Sequence, residues 1–253
     1  MDYTSIKYEI VEQGIGKLTL NRPALYNAIN ITMMEELETF WRERLYDLDT
    51  VVIILNGEGE KGFCAGLDMK EISELMDSFS PVQAYQFQAR LARINLAMRR
   101  APQPIIAAAH GAAAGEGFSM LLASDIRIIS DNARFSAAYI NIGLGGADMS
   151  CSYFLPRMIG AGRAYEFMYT GSFMSAQEAM DLGLASRMVK PGELMNTALD
   201  FARTLISKNH FGLRLTKEAI NMNLDAGGLE QALNMEDRNQ ILLALASGIK
   251  STI

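Results

Sequence analysis

Cysteine and histidine are scarce in this chain: two of each occur in 253 residues, Cys64, Cys151, His110 and His210, with no CxxC and no HExxH. So few thiols exclude a disulfide framework, and so few imidazole and thiol ligands argue against a transition-metal site. Positive charge is not clustered. The net charge is -6 and no lysine- or arginine-rich block occurs, so nucleic acid and an anionic membrane surface are not expected partners. Long hydrophobic runs are missing too. The apolar stretches at 104–109 and 120–123 are far too short to span a bilayer. Residues 1–20 carry acids and lack the basic-then-apolar order of a signal peptide. These absences together predict a metal-free protein of a reducing cytoplasm.

What is present is an ordinary core-forming composition, 49% hydrophobic and 21% charged. Two β-prone runs at 7–11 and 17–20, separated by Gly14 and Gly16, predict a hairpin. Thr32 with Glu35 three residues on predicts a capping box, followed by a helix over 33–48 with apolar residues at helical spacing. VVIIL at 51–55 and PIIAAA at 104–109 are continuous apolar runs of the kind that form strands buried on both faces. Residues 71–100 are mostly helix formers, with Pro81 marking a break or a start. A helix is expected from about Gly117 to Ala123, strands at 126–129 and 134–136, and helices from Cys151 onward, including 176–182 and 194–208. The recurrence predicts an α/β core with a helical C-terminal third.

Two glycine-bearing loops follow the buried strands: KGFCAGLDM at 61–69 and HGAAAGEGFS at 110–119. Small residues let backbone approach a ligand closely, and a helix starting near Gly117 would aim free N–H groups forward. Neither loop fits a Walker loop or a dinucleotide-binding GxGxxG. Each is also readable as a plain turn.

With NRPALYNAI at 21–29, GFCAGLDM at 62–69 and PIIAAAHGAAAGEGFSMLLASDIRI at 104–128, the chain resembles the crotonase (enoyl-CoA hydratase/isomerase) superfamily. The likeness runs on in order through ARFSAAYINIGL at 133–144, FLPRMIG at 154–160 and SAQEAMDLGL at 175–184. The resemblance implies a spiral of ββα units binding acyl-CoA over residues 1–195 and a helical oligomerisation region over 196–253. It implies a homotrimer or hexamer, and no cofactor beyond the coenzyme A of the substrate. Family members hold the thioester oxygen with two backbone N–H groups, which fall by register on Leu67 and Glu116. Such donors stabilise the negative charge that develops when a proton leaves the carbon beside a thioester. Ala24, Leu25, Ala65, Gly66, Asp68, Met69, Gly115 and Ser119 are the substrate-binding positions implied. Lys7, Arg22, Lys61, Lys208 and Lys217 are the cations from which partners for the CoA phosphates would come.

The acid/base groups depart from the pattern. Hydratases of the family use two glutamates, and their register falls on Ser119 and Tyr139, neither able to serve as a carboxylate base near neutral pH. Asp148 instead falls where other branches, including isomerases and a dehalogenase, keep a functional aspartate, although the loop at 143–148 is one residue longer than in the isomerases. Asp148 is equally readable as an N-cap for a helix at 149–155, and Asp68 as a cap for one at 70–75. Glu116 replaces a common glycine or alanine. Its side chain is expected to be solvated or at a subunit interface, with a catalytic carboxylate as the sharper alternative. Tyr139 could orient substrate or donate a proton; His110, Cys64 and Cys151 read as structural. The favoured reaction is an enoyl-CoA double-bond shift with Asp148 as acid/base. Alternatives are hydration of an enoyl- or dienoyl-CoA, dehalogenation, decarboxylation or hydrolysis of a CoA thioester, and non-catalytic acyl-CoA binding. The chain ends at Ile253, where family members commonly continue into a lid helix, so a truncated lid is expected.

Overall fold

The computed structural model describes residues 3–246 and 248. The hairpin forms as β1 (Ile6–Glu12) and β2 (Ile15–Leu20), paired antiparallel. The chain then runs through α1 (Ile31–Arg44), β3 (Val52–Gly57), α2 (Met69–Met76), α3 (Pro81–Arg100) and β4 (Ile105–Ala109). Next come β5 (Ala112–Ala114), α4 (Glu116–Ala123), β6 (Ile126–Ser130), β7 (Arg134–Ser136), α5 (Cys151–Ile159), α6 (Ala161–Thr170) and β8 (Met174–Ser175). The remainder is α7 (Ala176–Asp181), β9 (Arg187–Val189), α8 (Leu194–Ile206), α9 (His210–Asn223) and α10 (Leu229–Ala246). Six strands lie in the order β1-β2-β3-β4-β6-β9, parallel beyond the hairpin, and β5-β7-β8 form a smaller second sheet.

The continuous apolar runs are explained by what covers each face. Along β3 and β4, Ile53, Leu55, Ile105, Ala107 and Ala109 belong to the main core, between the sheets and α1, α3 and α4. Their neighbours Val52, Ile54, Ile106 and Ala108 face the other way, onto Leu194, Ala198 and Ala202 of α8. The two-residue period of a strand assigns alternate side chains to opposite faces, and here both faces are dry.

Helix boundaries follow their caps. Ser80 and Gln83 form a capping box at the start of α3, with Pro81 inside the first turn. At α1 the expected box on Thr32 is not used. Asn30, two residues earlier and in extended backbone, accepts the Met33 amide at 3.0 Å, so Thr32 lies inside the helix. That helix also stops before the expected Leu48, because Asp47 Oδ1 accepts the amides of Asp49 and Thr50 and turns the chain toward β3. Of the helical region expected over 196–253, residues 247 and 249–253 lie outside the described residues, as does the expected lid truncation at Ile253.

Candidate active site

The segments leaving the C-terminal ends of β3 and β4 meet edge to edge. Cys64 donates its amide to Ala112 O at 3.1 Å, and Ala114 donates to Cys64 O at 2.9 Å. Gly66 has φ +91°, and a Cβ there would lie 2.9 Å from Ala114 O and 3.4 Å from the Glu116 amide nitrogen. A Cβ on Gly117 would come within 2.3 Å of Cys64 O. Glycine is therefore required by conformation at one position and by close approach at the other.

This apposition leaves two amides without backbone partners among the described residues. Ile29 donates to Gly66 O at 2.8 Å and Asp68 donates to Ile29 O at 2.9 Å, a parallel bridge that skips the Leu67 amide between them. Glu116 opens α4, so its N–H is one of the orphan donors of a helix start. The carbonyl four residues back, Ala112 O, already accepts from Cys64. Both residues line a cavity of about 370 Å³. Its walls are largely apolar, with Met69, Ile72, Met76, Phe87, Ile142 and Leu144, and its polar side chains include Gln88, Tyr139 and Asp148.

Of the expected site residues, the cavity gathers Ala65, Gly66, Leu67, Met69, Gly115, Glu116, Tyr139 and Asp148. Ser119 stands behind this wall: fully buried, it hydrogen-bonds the Tyr139 hydroxyl at 2.8 Å and the Cys151 thiol at 3.3 Å. Asp68 occupies the N-cap position of α2 but does not cap it. Its carboxylate instead pairs with Arg22 at 3.0 Å, which ties the 21–29 segment to the loop after β3. Ala24 and Leu25 sit on an exposed 3₁₀ turn outside the cavity lining, and Ala24 O accepts from Lys61 at 3.2 Å.

Two expectations about carboxylates need correction. Glu116 is not solvated but 1% exposed, because every residue of α4 is buried and the helix starts inside the core. Asn95 on α3 donates Nδ2 to Glu116 Oε2 at 3.2 Å, and Oε1 has no partner. Burial holds this carboxyl well above the usual carboxylate range; the Asn95 hydrogen bond lowers it, and the charge of Asp148 adds to the rise. Asp148, by contrast, is no helix cap. It lies three residues before α5, where Ser150 occupies the N-cap position, and its Oδ1 accepts from Gln88 Nε2 at 2.7 Å and from the Met149 amide at 2.8 Å.

The groups facing Glu116 are otherwise hard to ionise. Burial pushes the Cys64 and Cys151 thiols up to about 12. Burial also raises the Tyr139 hydroxyl far above its ordinary value, with nearby Cys151 and Glu116 adding to it. The cavity is therefore lined by two residues whose amides lack a backbone partner among the described residues, by a half-buried aspartate, and by a glutamate whose burial raises its affinity for a proton. That set can hold developing negative charge on an oxygen and move protons beside it.

Asn95 and Gln88 were missed by sequence reasoning. For Asn95 the signal was polarity on an apolar helical stripe: Phe87, Leu91, Ile94 and Met98 of α3 are buried, and Asn95 sits among them at 1% exposure, whereas Gln88 is exposed and carried no such signal. Among the candidate cations, Lys217 is withdrawn. It is buried and donates to Met98 O, Gln103 O and Asp125. Lys7 pairs with Glu58 at 3.1 Å. Lys61 stays exposed, over the Tyr26 ring and beside Ala24.

The family model described as enoyl-CoA hydratase/isomerase matches residues 11–247. A Mycobacterium leprae protein named "Probable enoyl-CoA hydratase echA12" is 36% identical over 234 residues, 91% of this chain and 79% of that one. The short-chain-enoyl-CoA hydratase of Clostridium acetobutylicum is 32% identical, over 89% of this chain and 84% of its own. Among solved structures, an enoyl-CoA hydratase from Bacillus anthracis superposes with a TM-score of 0.88 at 30% identity, covering 97% of both chains. A monofunctional enoyl CoA isomerase from M. smegmatis gives 0.76 at 34% identity, covering 90% of this chain and 98% of its own. Among the described residues no helix is long and apolar enough to cross a membrane.

Proposed function

The chain belongs to the enoyl-CoA hydratase/isomerase family, and from that premise we propose that it shifts the double bond of an enoyl-CoA, with Asp148 as the acid/base. The observation that carries this reading is the shared cavity: Leu67 and Glu116, whose amides have no backbone partner among the described residues, line it together with a half-buried aspartate. The thioester oxygen sits between the two amides, and Asp148 takes a proton from one carbon of the acyl chain. The enolate charge collects on the oxygen, where each preorganised donor lowers the barrier by ~2.7–4 kcal/mol. Asp148 then returns the proton two carbons away. One carboxylate suffices for that cycle, because the proton removed is the proton delivered. Supporting this, the positions that carry glutamates in hydratases are here Ser119 and Tyr139, tied to each other.

Glu116 favours a second reading. It shares the cavity with Asp148, and burial raises its affinity for a proton, so the pair supplies two carboxyl groups for the acid and base that adding water across an enoyl-CoA requires. An assay of one short enoyl-CoA for migration against hydration separates the two. Double-bond migration without hydration, reduced ~10²–10⁴-fold by Asp148→Asn, is expected; robust turnover by that variant removes Asp148 from the reaction. We further propose a homotrimer or hexamer, supported by exposed Leu229, Leu233, Ile241, Leu242 and Leu245 on α10, with light scattering of the purified chain as its check.

A further inference from the structure

Directly after Asp148 the backbone does something that side chains resist. Met149 and Ser150 are consecutive non-glycine residues in the left-handed region, at φ 45° and 77°. Such conformations persist only where the surroundings hold them. Several contacts hold this turn from within: Met149 donates to Asp148 Oδ1, Cys151 donates to Asp148 O at 2.8 Å, and Phe154 donates to Ser150 O at 3.0 Å. A further one comes from outside the segment. Asn95 Nδ2 on α3 donates to Met149 O at 3.1 Å.

A side-chain amide nitrogen has two hydrogens, and the other one of Asn95 goes to Glu116 Oε2 at 3.2 Å. Asn95 is 1% exposed and its own Oδ1 has no partner. The orientation of this amide is therefore fixed by its two acceptors, one of which is Glu116. Glu116, which lines the cavity, is thus linked through its side chain and Asn95 to the peptide next to Asp148.

We propose that the Glu116 side chain is a positioning residue: through Asn95 it clamps the left-handed Met149–Ser150 turn and so sets where Asp148 presents its carboxylate. This rests on the reading of Asp148 as the acid/base. It explains why a helix that could start with glycine starts with a buried glutamate. Burial, which raises this carboxyl's affinity for a proton, disfavours a second negative charge beside Asp148. The amide of glutamine has the same shape and the same acceptor, so it fills the role equally.

The test compares Glu116→Gln, Glu116→Ala, Asn95→Ala and the Glu116→Ala/Asn95→Ala double variant of the full chain, reading kcat, KM and Tm on one enoyl-CoA. Glu116→Gln should stay within ~3-fold of the parent kcat. Glu116→Ala and Asn95→Ala should each lose ~10–100-fold in kcat, the range that a misplaced reacting group costs, with KM changed less than ~3-fold. The double variant should be no worse than Asn95→Ala alone, because one line of contacts is broken twice. Equal losses in Glu116→Gln and Glu116→Ala would overturn positioning and make the carboxyl itself a proton donor. Full activity in Glu116→Ala with Asp148→Asn dead would refute the clamp and leave Asp148 standing. Turnover by Asp148→Asn would instead sink the underlying reading. If Glu116→Ala does not fold, Asn95→Ser carries the same comparison, and full kcat in that variant overturns the clamp.

Discussion

Helices α3 and α4 bury ionisable groups at both ends of their contact, and the two ends are built differently. At the C-terminal end of α4, Asp125 accepts from Arg99 at 2.9 Å, from Lys217 at 2.8 Å and from the Ile105 amide at 2.8 Å. The three N–H donors of Lys217 meet three acceptors, Asp125 and the backbone carbonyls of Met98 and Gln103. Arg99 also reaches Ala123 O and Asn221. At the N-terminal end, seven residues earlier on α4, Glu116 Oε1 and Asn95 Oδ1 are buried without partners. A buried polar atom without a partner costs free energy. The paired end looks like a girder, whereas the unpaired end borders the cavity, where incomplete satisfaction leaves capacity for a ligand.

The comparison breaks if the two ends respond alike to mutation. The largest effect is expected at the paired end. Asp125→Ala leaves the buried Lys217 and the part-buried Arg99 without their carboxylate and should cost ~3–5 kcal/mol of stability, while kcat per folded molecule, measured well below Tm, is unchanged. Chemical denaturation alongside a steady-state assay checks both halves. Next is Gly66→Ala at the cavity. A Cβ 2.9 Å from Ala114 O and 3.4 Å from the Glu116 nitrogen pushes the two loops apart. A disturbed donor pair should lower kcat by ~10²–10³, more than the accompanying shift in Tm accounts for.

A smaller effect concerns pH. The carboxyl of Glu116 is raised in the fold, so the native chain binds a proton that the unfolded chain has released. The stability this contributes is present below the ordinary carboxylate range and is lost as pH rises, by at most ~1.4 kcal/mol per pH unit. Glu116→Gln abolishes that slope, so parent and variant stability curves should diverge as pH is raised from 4 to 8, in the variant's favour. Parallel curves would show the carboxyl to be solvated after all. The smallest effect is at the surface: Glu9→Gln removes a pair with Lys17 and should change stability by ~0–1 kcal/mol and kcat not at all.

Much of the frame was legible in the sequence because its signals are local. The runs at 51–55 and 104–109 read as dry strands and form them, and of the two readings of Pro81, a break or a start, the structure takes the start. The strands β5, β8 and β9 were not legible. They are two or three residues long and exist because a neighbouring strand is there to pair with. At the site, the glycine loops and the positions of Leu67, Glu116, Tyr139 and Asp148 were found from motif and register. The environment of each carboxyl was not. A glutamate is ordinarily exposed, and nothing within ten residues of Glu116 announces Asn95, 21 positions away in the chain.

The sequence by itself determined the family, the order of the longer strands and helices, and the two glycine-bearing loops, since these depend on periodicity and on residues with special backbone freedom. Only the tertiary structure decided which carboxyl is dry and which is half open, and that the turn after Asp148 is held from α3. Desolvation and the orientation of a hydrogen-bonding amide are properties of what packs around a group, and those neighbours come from distant parts of the chain.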